Sequence, residues 1–383
     1  MSLIVSAIVA TLVGLGNTLT VIPAAAGAIG ATPAETSSWI ASICISVAAT
    51  SAFLSVRYRM PIVAAWSLPG AAMVASFGPG ADMATASGAF VVAGALMAAC
   101  AAIRPLGTLV SRIPGTVAAA MLAGVLLRFV TALADNAAQN PLLILPVIVI
   151  YFVMRRLASN WAVLGAFVFG TLVSLVLSEV GPIPAPQLSP LVWTTPRFEA
   201  STLVGLGLPL FLVTFAAQNL PGFAVLRASG YAPPIRPILA TMGLASVVSA
   251  PFGAHATNLA ALTAALCTGR DTHPDPRKRW VVGIVFGGFH LVLAAAGASL
   301  VGVFAAFPQS FVATIAGLAL LSPLSGSLTA ALAENDHRIA AVATFATTAS
   351  GISVLGLGSP VWGLGAGLFI MLIDRWRRSA SFH

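Results

Sequence analysis

The chain is a series of apolar runs, most of them close to the length that crosses a bilayer, separated by short polar or Pro- and Gly-containing breaks. A spanning helix needs about 20 mainly apolar residues. Only 7% of the 383 residues are charged, whereas a soluble domain carries roughly 25%. Because the runs lack the alternation of membrane-spanning β-strands, the sequence predicts an all-α polytopic membrane protein.

The apolar runs predict fourteen transmembrane segments. The first is interpreted as a span rather than a removable signal peptide, since it has no positively charged start and no small-residue cleavage site. Three cysteines lie far apart within apolar runs, so they predict neither a metal site nor a disulfide framework. The segments are 3–22, 36–55, 62–78, 84–103, 112–132, 141–154, 160–178, 201–224, 235–250, 257–268, 280–304, 308–330, 338–355 and 361–374.

The positions of the basic residues predict the topology. With a cytoplasmic N-terminus and alternating sides, Arg128 and Arg197 are the only two of the 18 Lys and Arg residues left outside, as the positive-inside rule favours. Omitting the interrupted segments 62–78 and 257–268 would move the loops between them and abolish this asymmetry. Both termini are therefore predicted to be cytoplasmic, and the net charge of +8 reflects topology rather than a nucleic-acid partner.

Pro- and Gly-containing breaks at corresponding positions of the two halves predict an internal repeat. Segments 1 and 8 end on a Gly-x-x-Pro pattern, segments 3 and 10 begin at Pro61 and Pro251, and segments 5 and 12 begin near Pro114 and Pro308. Seven spans per half require the halves, 1–180 and 198–378, to enter the membrane from opposite sides. Inverted repeats of this kind are typical of secondary transporters, whose sites lie between the repeats.

Segments 3 and 10 are each interrupted near the middle of the bilayer. Pro251 and Gly253 disfavour a helix, so 251–256 is predicted to be extended and Thr257 to be the N-cap of a short helix over 257–268. Ser67 is predicted to cap a similar short helix after an extended stretch that starts at Pro61. Two facing helix N-termini would bind an anion without any basic side chain. The alternative is a pair of ordinary Pro-kinked helices.

Several polar residues are expected at membrane depth. Gln218 and Asn219 lie late in segment 8, and Asn17 is the corresponding break in segment 1; each either contacts substrate or bonds between helices. His255 precedes the segment 10 helix and is a candidate for substrate binding or proton coupling. His290, inside segment 11, is either a packing residue or a proton relay.

The composition near the breaks favours an aromatic anion. All ten acidic residues lie outside the predicted spans or at their ends, although a cation transporter or proton pump normally keeps one deep in a span. Trp66 and Phe215, with Phe211 and Phe252, are candidates to contact a flat apolar ring. The same aromatic residues are also common on lipid-facing surfaces.

The segments "TFAAQNLPGFAVLRASGY", "PFGAHATNLAALTAALCTG" and "RRLASNWAVLGA" resemble the benzoate–proton symporter (BenE) family over nearly the whole chain. The resemblance implies a 7+7 inverted repeat related to uracil/xanthine and sulfate permeases, with a short strand plus half-helix in segments 3 and 10. It implies a core domain of segments 1–4 and 8–11 and a gate domain of segments 5–7 and 12–14. Nucleobase permeases carry acidic residues where this chain has Gln218, Asn219 and Asn258, a departure that fits a carboxylate ligand.

The first hypothesis is therefore import of benzoate or a similar aromatic carboxylate with a proton across a bacterial inner membrane. The carboxylate would lie near Ser67 and Thr257. Transport of another organic anion or a nucleobase-like compound on the same fold is the alternative, followed by an anion channel or exchanger. An embedded enzyme is disfavoured because no catalytic or metal-binding motif is found. No cofactor or metal is expected; membrane lipid surrounds the protein, and a homodimer is possible.

Overall fold

The computed structural model describes residues 3–18, 21–77, 81–103, 115–269, 272–354 and 357–380. Within these ranges, 7 helices are long and apolar enough to cross a membrane, judged by length and composition. They are Pro33–Tyr58, Met83–Ala102, Gly115–Gln139, Ala200–Ala228, Ile235–Phe252, Pro276–Ala306 and Gln309–Ala331.

The first half of the chain holds eight helices and one short strand among its described residues. An N-cap hydrogen bond from Glu35 N to Thr32 Oγ1 starts α3, and one from Thr85 N to Asp82 Oδ1 starts α5. The elements are α1 (Leu3–Thr18), α2 (Val21–Ala28), α3 (Pro33–Tyr58), β1 (Ala64–Trp66), α4 (Leu68–Ser76), α5 (Met83–Ala102), α6 (Gly115–Gln139), α7 (Pro141–Leu157) and α8 (Ala162–Val176).

A long connection without regular structure follows α8 and leads to the second half. The elements described there are α9 (Ala200–Ala228), α10 (Ile235–Ser249), β2 (Thr257–Leu259), α11 (Ala261–Thr268), α12 (Val281–Ala306), α13 (Gln309–Ala331), α14 (Arg338–Ala349), β3 (Ser353–Val354), β4 (Leu357–Gly358) and α15 (Ser359–Ala380). Helix α9 widens into π-helical turns at Leu203–Gly207 and Phe215–Asn219. Such turns are rare in proteins, and those that do occur are often found at functional sites.

Helices occur at all fourteen predicted positions, but three local predictions are wrong. Thr257 is not an N-cap: it lies in β2, and α11 begins after Ala260. The stretch 251–256 is not uniformly extended, because Ala250–Phe252 forms a 3₁₀ turn and Gly253 adopts a left-handed φ of 103°. Segment 13 ends its helix at Ala349, and a short β3–β4 hairpin follows.

The buried apolar residues form two main clusters. The larger one joins α1–α6 to α9–α13, with Trp39, Phe90 and Phe286 among its fully buried side chains. The second joins α7 and α8 to α13 through residues such as Tyr151 and Phe311. Helix α13 contributes to both clusters, through Ala316, Leu320 and Leu324 in the larger one and Phe311, Ile315 and Leu318 in the second.

The two Gly-x-x-Pro breaks have the same local structure. Gly30 has a φ of 65° and Gly230 a φ of 86°, a left-handed conformation that glycine adopts without steric cost. In each case the residue after the glycine donates its N–H to a carbonyl five residues earlier, from Ala31 to Ala26 and from Tyr231 to Leu226. Both helices thus end in a Schellman motif.

Candidate functional site

The two interrupted segments meet as a two-stranded antiparallel ribbon. Strand β1 pairs with β2 in the register Ala64↔Leu259, Ala65↔Asn258 and Trp66↔Thr257. The ribbon is almost entirely buried, and each strand leads directly into a short helix, α4 or α11. Extended backbone inside a membrane protein requires internal hydrogen-bond partners, and pairing the two breaks with each other satisfies part of that requirement.

Serine side chains on α3 supply further partners for the two broken segments. Ser55 Oγ accepts from Ile62 N at 3.1 Å and donates to Ile62 O at 2.9 Å. Ser51 Oγ accepts from Ala64 N at 2.9 Å. Ser46 Oγ and Thr257 Oγ1 share a hydrogen bond of 2.6 Å. One face of α3 therefore holds the backbone or side chains of both broken segments.

Sequence analysis did not identify this serine face, although its signal is present. Ser38, Ser42, Ser46, Ser51 and Ser55 recur at helical spacing in an otherwise apolar segment. Ser38 Oγ and Ser42 Oγ both donate to Phe252 O, at 2.9 and 3.1 Å. Hydroxyls at every turn of a membrane helix indicate a partner with unsatisfied backbone groups.

His255 bridges α3 and the end of β1. Trp39 Nε1 donates to His255 Nδ1 at 3.1 Å, and His255 Nε2 lies 2.8 Å from Ser67 O. A carbonyl oxygen only accepts, so Nε2 must carry the hydrogen and Nδ1 must be the acceptor. Both ring nitrogens of this fully buried residue are therefore occupied by protein groups in the neutral form.

Ser67 caps α4 as predicted. Its Oγ accepts from Gly70 N at 3.0 Å and from Thr214 Oγ1 at 3.0 Å. Pro69, in the first turn, has no N–H to offer. Helix α11 differs, because its N-cap residue Ala260 makes no side-chain capping bond. The two helix starts are not equivalent as anion sites.

Asn219 ties the second π turn of α9 to β2. Its Oδ1 accepts from Leu259 N at 3.0 Å, and its Nδ2 donates to Thr214 O at 3.4 Å. Phe215, on the same turn, packs against Phe211 with ring centroids 5.9 Å apart. Gln218 is half-buried and has no hydrogen-bond partner among the described residues.

His290 and Trp66 lie against each other at the end of β1. Their ring centroids are 5.8 Å apart in an edge-on arrangement, and both residues are buried. His290 Nδ1 lies 2.9 Å from Phe286 O, so Nδ1 carries the hydrogen. Within the described part of the chain, Nε2 has no hydrogen-bond partner, in contrast to the two occupied nitrogens of His255.

Two buried polar atoms, one in β2 and one in the first turn of α11, also lack partners among the described residues. They are Asn258 Oδ1, on a side chain that is 0% exposed, and Thr263 Oγ1, which sequence analysis did not identify. The predicted site residues therefore divide into two sets. Ser67, Asn219, His255 and Thr257 are bonded within the protein, whereas Gln218, Asn258 and His290 keep a free polar group. Asn17 lies in α1, but its side chain is outside the described structure.

A cavity of about 670 Å³ lies away from the ribbon. None of the predicted site residues lines it. Its wall comes from α2, the start of α3, the connection between α8 and α9, the end of α12 and the start of α13, with Thr36, Ser37, Gln187 and Gln309 as polar residues. The cavity thus lies between α2, α12 and α13.

The fold is that of a membrane transporter. The transmembrane domain of a cyanobacterium bicarbonate transporter, BicA, superposes with a TM-score of 0.63, covering 95% of this chain and 97% of that chain at 17% sequence identity. This similarity concerns the fold alone. Together with the apolar helices, it defines the class as a multi-pass membrane protein with the fold of that transmembrane domain.

The chain belongs to the BenE family. The family described as "Benzoate membrane transport protein" matches residues 1–373. "Inner membrane protein YdcO" of Escherichia coli (strain K12) is 37% identical over 94% of this chain and 92% of its own length. "Benzoate membrane transport protein" of Acinetobacter baylyi (strain ATCC 33305 / BD413 / ADP1) is 34% identical over 88% of this chain and 86% of its own. The family predicted from the sequence motifs is confirmed.

Proposed function

We propose that the protein imports benzoate or a similar aromatic carboxylic acid together with a proton across a bacterial inner membrane. The family and its named benzoate transporter support the substrate class. The observation that carries the proposal is the start of α11: a short helix begins inside the protein without a side-chain cap, next to the unpartnered Asn258 Oδ1 and Thr263 Oγ1.

The carboxyl group of the substrate binds at this helix start. Its first turn offers backbone N–H groups and the positive end of the helix dipole, and the Thr263 hydroxyl can donate a further hydrogen bond. Gln218 lies on the π turn that Asn219 fixes against β2 and adds a neutral donor. No basic side chain is needed, because the free backbone N–H groups at a helix N-terminus can donate to a carboxyl oxygen.

The aromatic ring of the substrate packs against Phe215, which lies on the same π turn as Gln218. Phe215 has 8% of its surface exposed, so a ring inserted here loses its contact with water. Burying apolar surface contributes about 25 cal/mol per Å². Such contacts distinguish an aromatic acid from a small inorganic anion, which has no apolar surface to bury.

Alternating access would occur by movement between two units. We infer a core of segments 1–4 and 8–11 and a gate of segments 5–7 and 12–14, arranged as an inverted repeat. The second apolar cluster, which joins α7 and α8 to α13, supports the gate unit, and the matching helix ends at Gly30 and Gly230 support the repeat. The cavity bordered by α12 and α13 would give access from one side of the membrane, with both termini on the cytoplasmic side.

Uptake of labelled benzoate into proteoliposomes tests the function. A pH gradient, acid outside, should drive accumulation above that of protein-free liposomes, which correct for passive diffusion of the acid. Transport that is indifferent to the gradient would exclude symport. Failure with benzoate but uptake of another organic anion, measured by a competition panel, would support the alternative substrate class.

The site is tested by Thr263→Val, a nearly isosteric change that removes the hydroxyl. We expect an affinity for benzoate reduced by about fivefold to tenfold, corresponding to one lost hydrogen bond. Thr314→Val is the matched control, because Thr314 in α13 also has a buried, unpartnered hydroxyl in the described structure. Equal effects of the two substitutions would remove the α11 site from the proposal.

A further inference from the structure

Within the described ribbon, the side-chain amide of Asn258 carries a buried polar atom without a hydrogen-bond partner. Its Nδ2 donates to Leu259 O at 2.8 Å, whereas its Oδ1 is buried without a partner. A buried acceptor without a partner costs about 1–3 kcal/mol. The carboxamide oxygen is therefore poised to gain stability from any donor that reaches it.

The orientation of the amide is fixed by its neighbour. Oxygen and nitrogen of an Asn side chain are interchangeable in shape, and the assignment depends on the hydrogen bonds. Leu259 O accepts only, so the amide atom 2.8 Å away must be Nδ2. The other atom is then necessarily an acceptor, and the ligand that complements it must bring a hydrogen to donate.

This requirement distinguishes the two forms of the substrate. A carboxylate has acceptor oxygens only, whereas a protonated carboxylic acid has one O–H donor and one C=O acceptor. Asn258 and Ala65 are cross-strand partners, so their side chains share one face of the ribbon, and Ala65 is partly exposed on that face. The neutral acid matches the acceptor of Asn258 and the donors at the start of α11; the anion does not.

We propose that the coupled proton travels on the substrate itself, with the acid O–H donating to Asn258 Oδ1 and the acid C=O accepting from the first turn of α11. The inference rests on the proposed function and specifies its ligand. The proton is taken from water on one side, stays on the carboxyl oxygen during the crossing and returns to water on the other side. Each cycle would then move no net charge.

No ionisable protein group is better placed to carry the proton. His255 uses both ring nitrogens within the protein. Protonating Nδ1 would turn its new N–H group towards the N–H of Trp39, so that two donors would face each other. His290 has an open Nε2 and is the competing carrier. The remaining ionisable residues on the elements packed against the ribbon lie near helix ends or, for the cysteines, in apolar surroundings: Glu35, Cys44, Arg57, Tyr58, Arg227, Arg236 and Cys267.

The test compares benzoate with benzamide, a neutral molecule that has an N–H donor and a C=O acceptor in the places of the acid's O–H and C=O. Binding to the purified protein in detergent is measured by calorimetry from acid to neutral pH. Above the pKa of benzoic acid, the apparent Kd of benzoate should rise about tenfold per pH unit, because the fraction of competent ligand falls by that factor. Benzamide should bind with a Kd that does not follow this trend.

Two results would overturn the inference. One is a benzoate Kd that is flat with pH while benzamide does not bind, which means that the anion is the bound form. The other is a pH-dependent Kd that becomes flat in His290→Gln, which assigns the proton to the histidine. In both cases benzoate still binds, so the proposed function survives. If neither ligand binds at any pH, the proposed function itself fails.

A substitution tests the same contact from the protein side. Asn258→Leu should weaken benzamide and low-pH benzoate equally, by about tenfold, since one hydrogen bond of the neutral group is lost in each case. Asn136→Leu is the matched control, because Asn136 in α6 also has a buried, unpartnered amide atom. Unchanged binding of both ligands to a folded Asn258→Leu protein would contradict the proposal. If that variant does not fold, the comparison of benzoate with benzamide on the unsubstituted protein still tests the proposal.

Discussion

Replacing His255 tests whether this residue holds the site together or carries a proton. In the structure it joins Trp39 on α3 to the carbonyl of Ser67, immediately before α4. His255→Leu keeps much of the volume but leaves the indole N–H and the carbonyl buried without partners. We therefore expect a less stable protein whose α4 is no longer held against α3.

The expected magnitude follows from the two groups left unpaired. Each buried unsatisfied group costs about 1–3 kcal/mol, so His255→Leu should destabilise the protein by about 2–6 kcal/mol. The two amide residues separate the contributions. The side-chain amide of Asn reaches the position of Nδ1 and can accept from Trp39, whereas that of Gln reaches the position of Nε2 and can donate to Ser67 O. Each should recover about half of the loss.

Thermal unfolding of the purified variants in detergent, followed by circular dichroism, measures the stability. Uptake of benzoate as a function of external pH, measured on the same variants in proteoliposomes, measures the coupling. A positioning residue predicts graded stability and a preserved pH dependence in the Asn and Gln variants. If the Leu variant is as stable as the unsubstituted protein, or if Asn and Gln variants are stable but lose the pH dependence of uptake, the bridging assignment is wrong.

Three further predictions concern the surroundings of the site. Ser67→Ala removes the cap that accepts from Gly70 N and should lower stability by about 1–2 kcal/mol, whereas Ser67→Thr should keep most of it. Gly222→Ala puts a methyl group 2.5 Å from Leu259 Cβ; such overpacking costs about 1–3 kcal/mol, and an unchanged unfolding midpoint would show that β2 can shift. The hydrogen bond from Thr85 N, helped by Arg197, holds the pKa of Asp82 below its usual range despite partial burial. The stabilisation that ionised Asp82 provides is present above the ordinary pKa of Asp and is lost as the pH falls towards the lowered pKa. Asp82→Asn should therefore flatten the acid side of a plot of unfolding midpoint against pH.

Features that depend on local sequence were predictable. Apolar runs and basic loop residues indicated a membrane protein and approximate segment positions, because the cost of burying charge in a bilayer acts on each segment separately. Ser67 was identified as a cap because a cap needs only a short polar side chain followed by a helix-forming stretch. The specific motifs also identified the family, which the comparison with known proteins confirms.

Features that depend on pairing between distant segments were not predictable. Thr257 has the chemistry of an N-cap, but hydrogen bonds with Ser46 and Ser246 hold it in a strand. Its neighbour in the ribbon, Trp66, is 191 residues away in the sequence, and no local pattern records that neighbour. Asn219 is a second example: its Oδ1 accepts from the N–H of Leu259, which is 40 residues away in the sequence.

The sequence by itself determined that the chain must lie in a membrane, where its segments break, and which polar residues are available at the breaks. Only the tertiary structure decided which of those residues remain free. A buried polar group must find a partner, and the partner is whatever the fold places beside it: Trp39 and Ser67 occupy His255, whereas nothing in the described structure occupies Asn258 Oδ1. Residues of the same chemical type therefore divide between holding the ribbon and meeting a ligand according to packing.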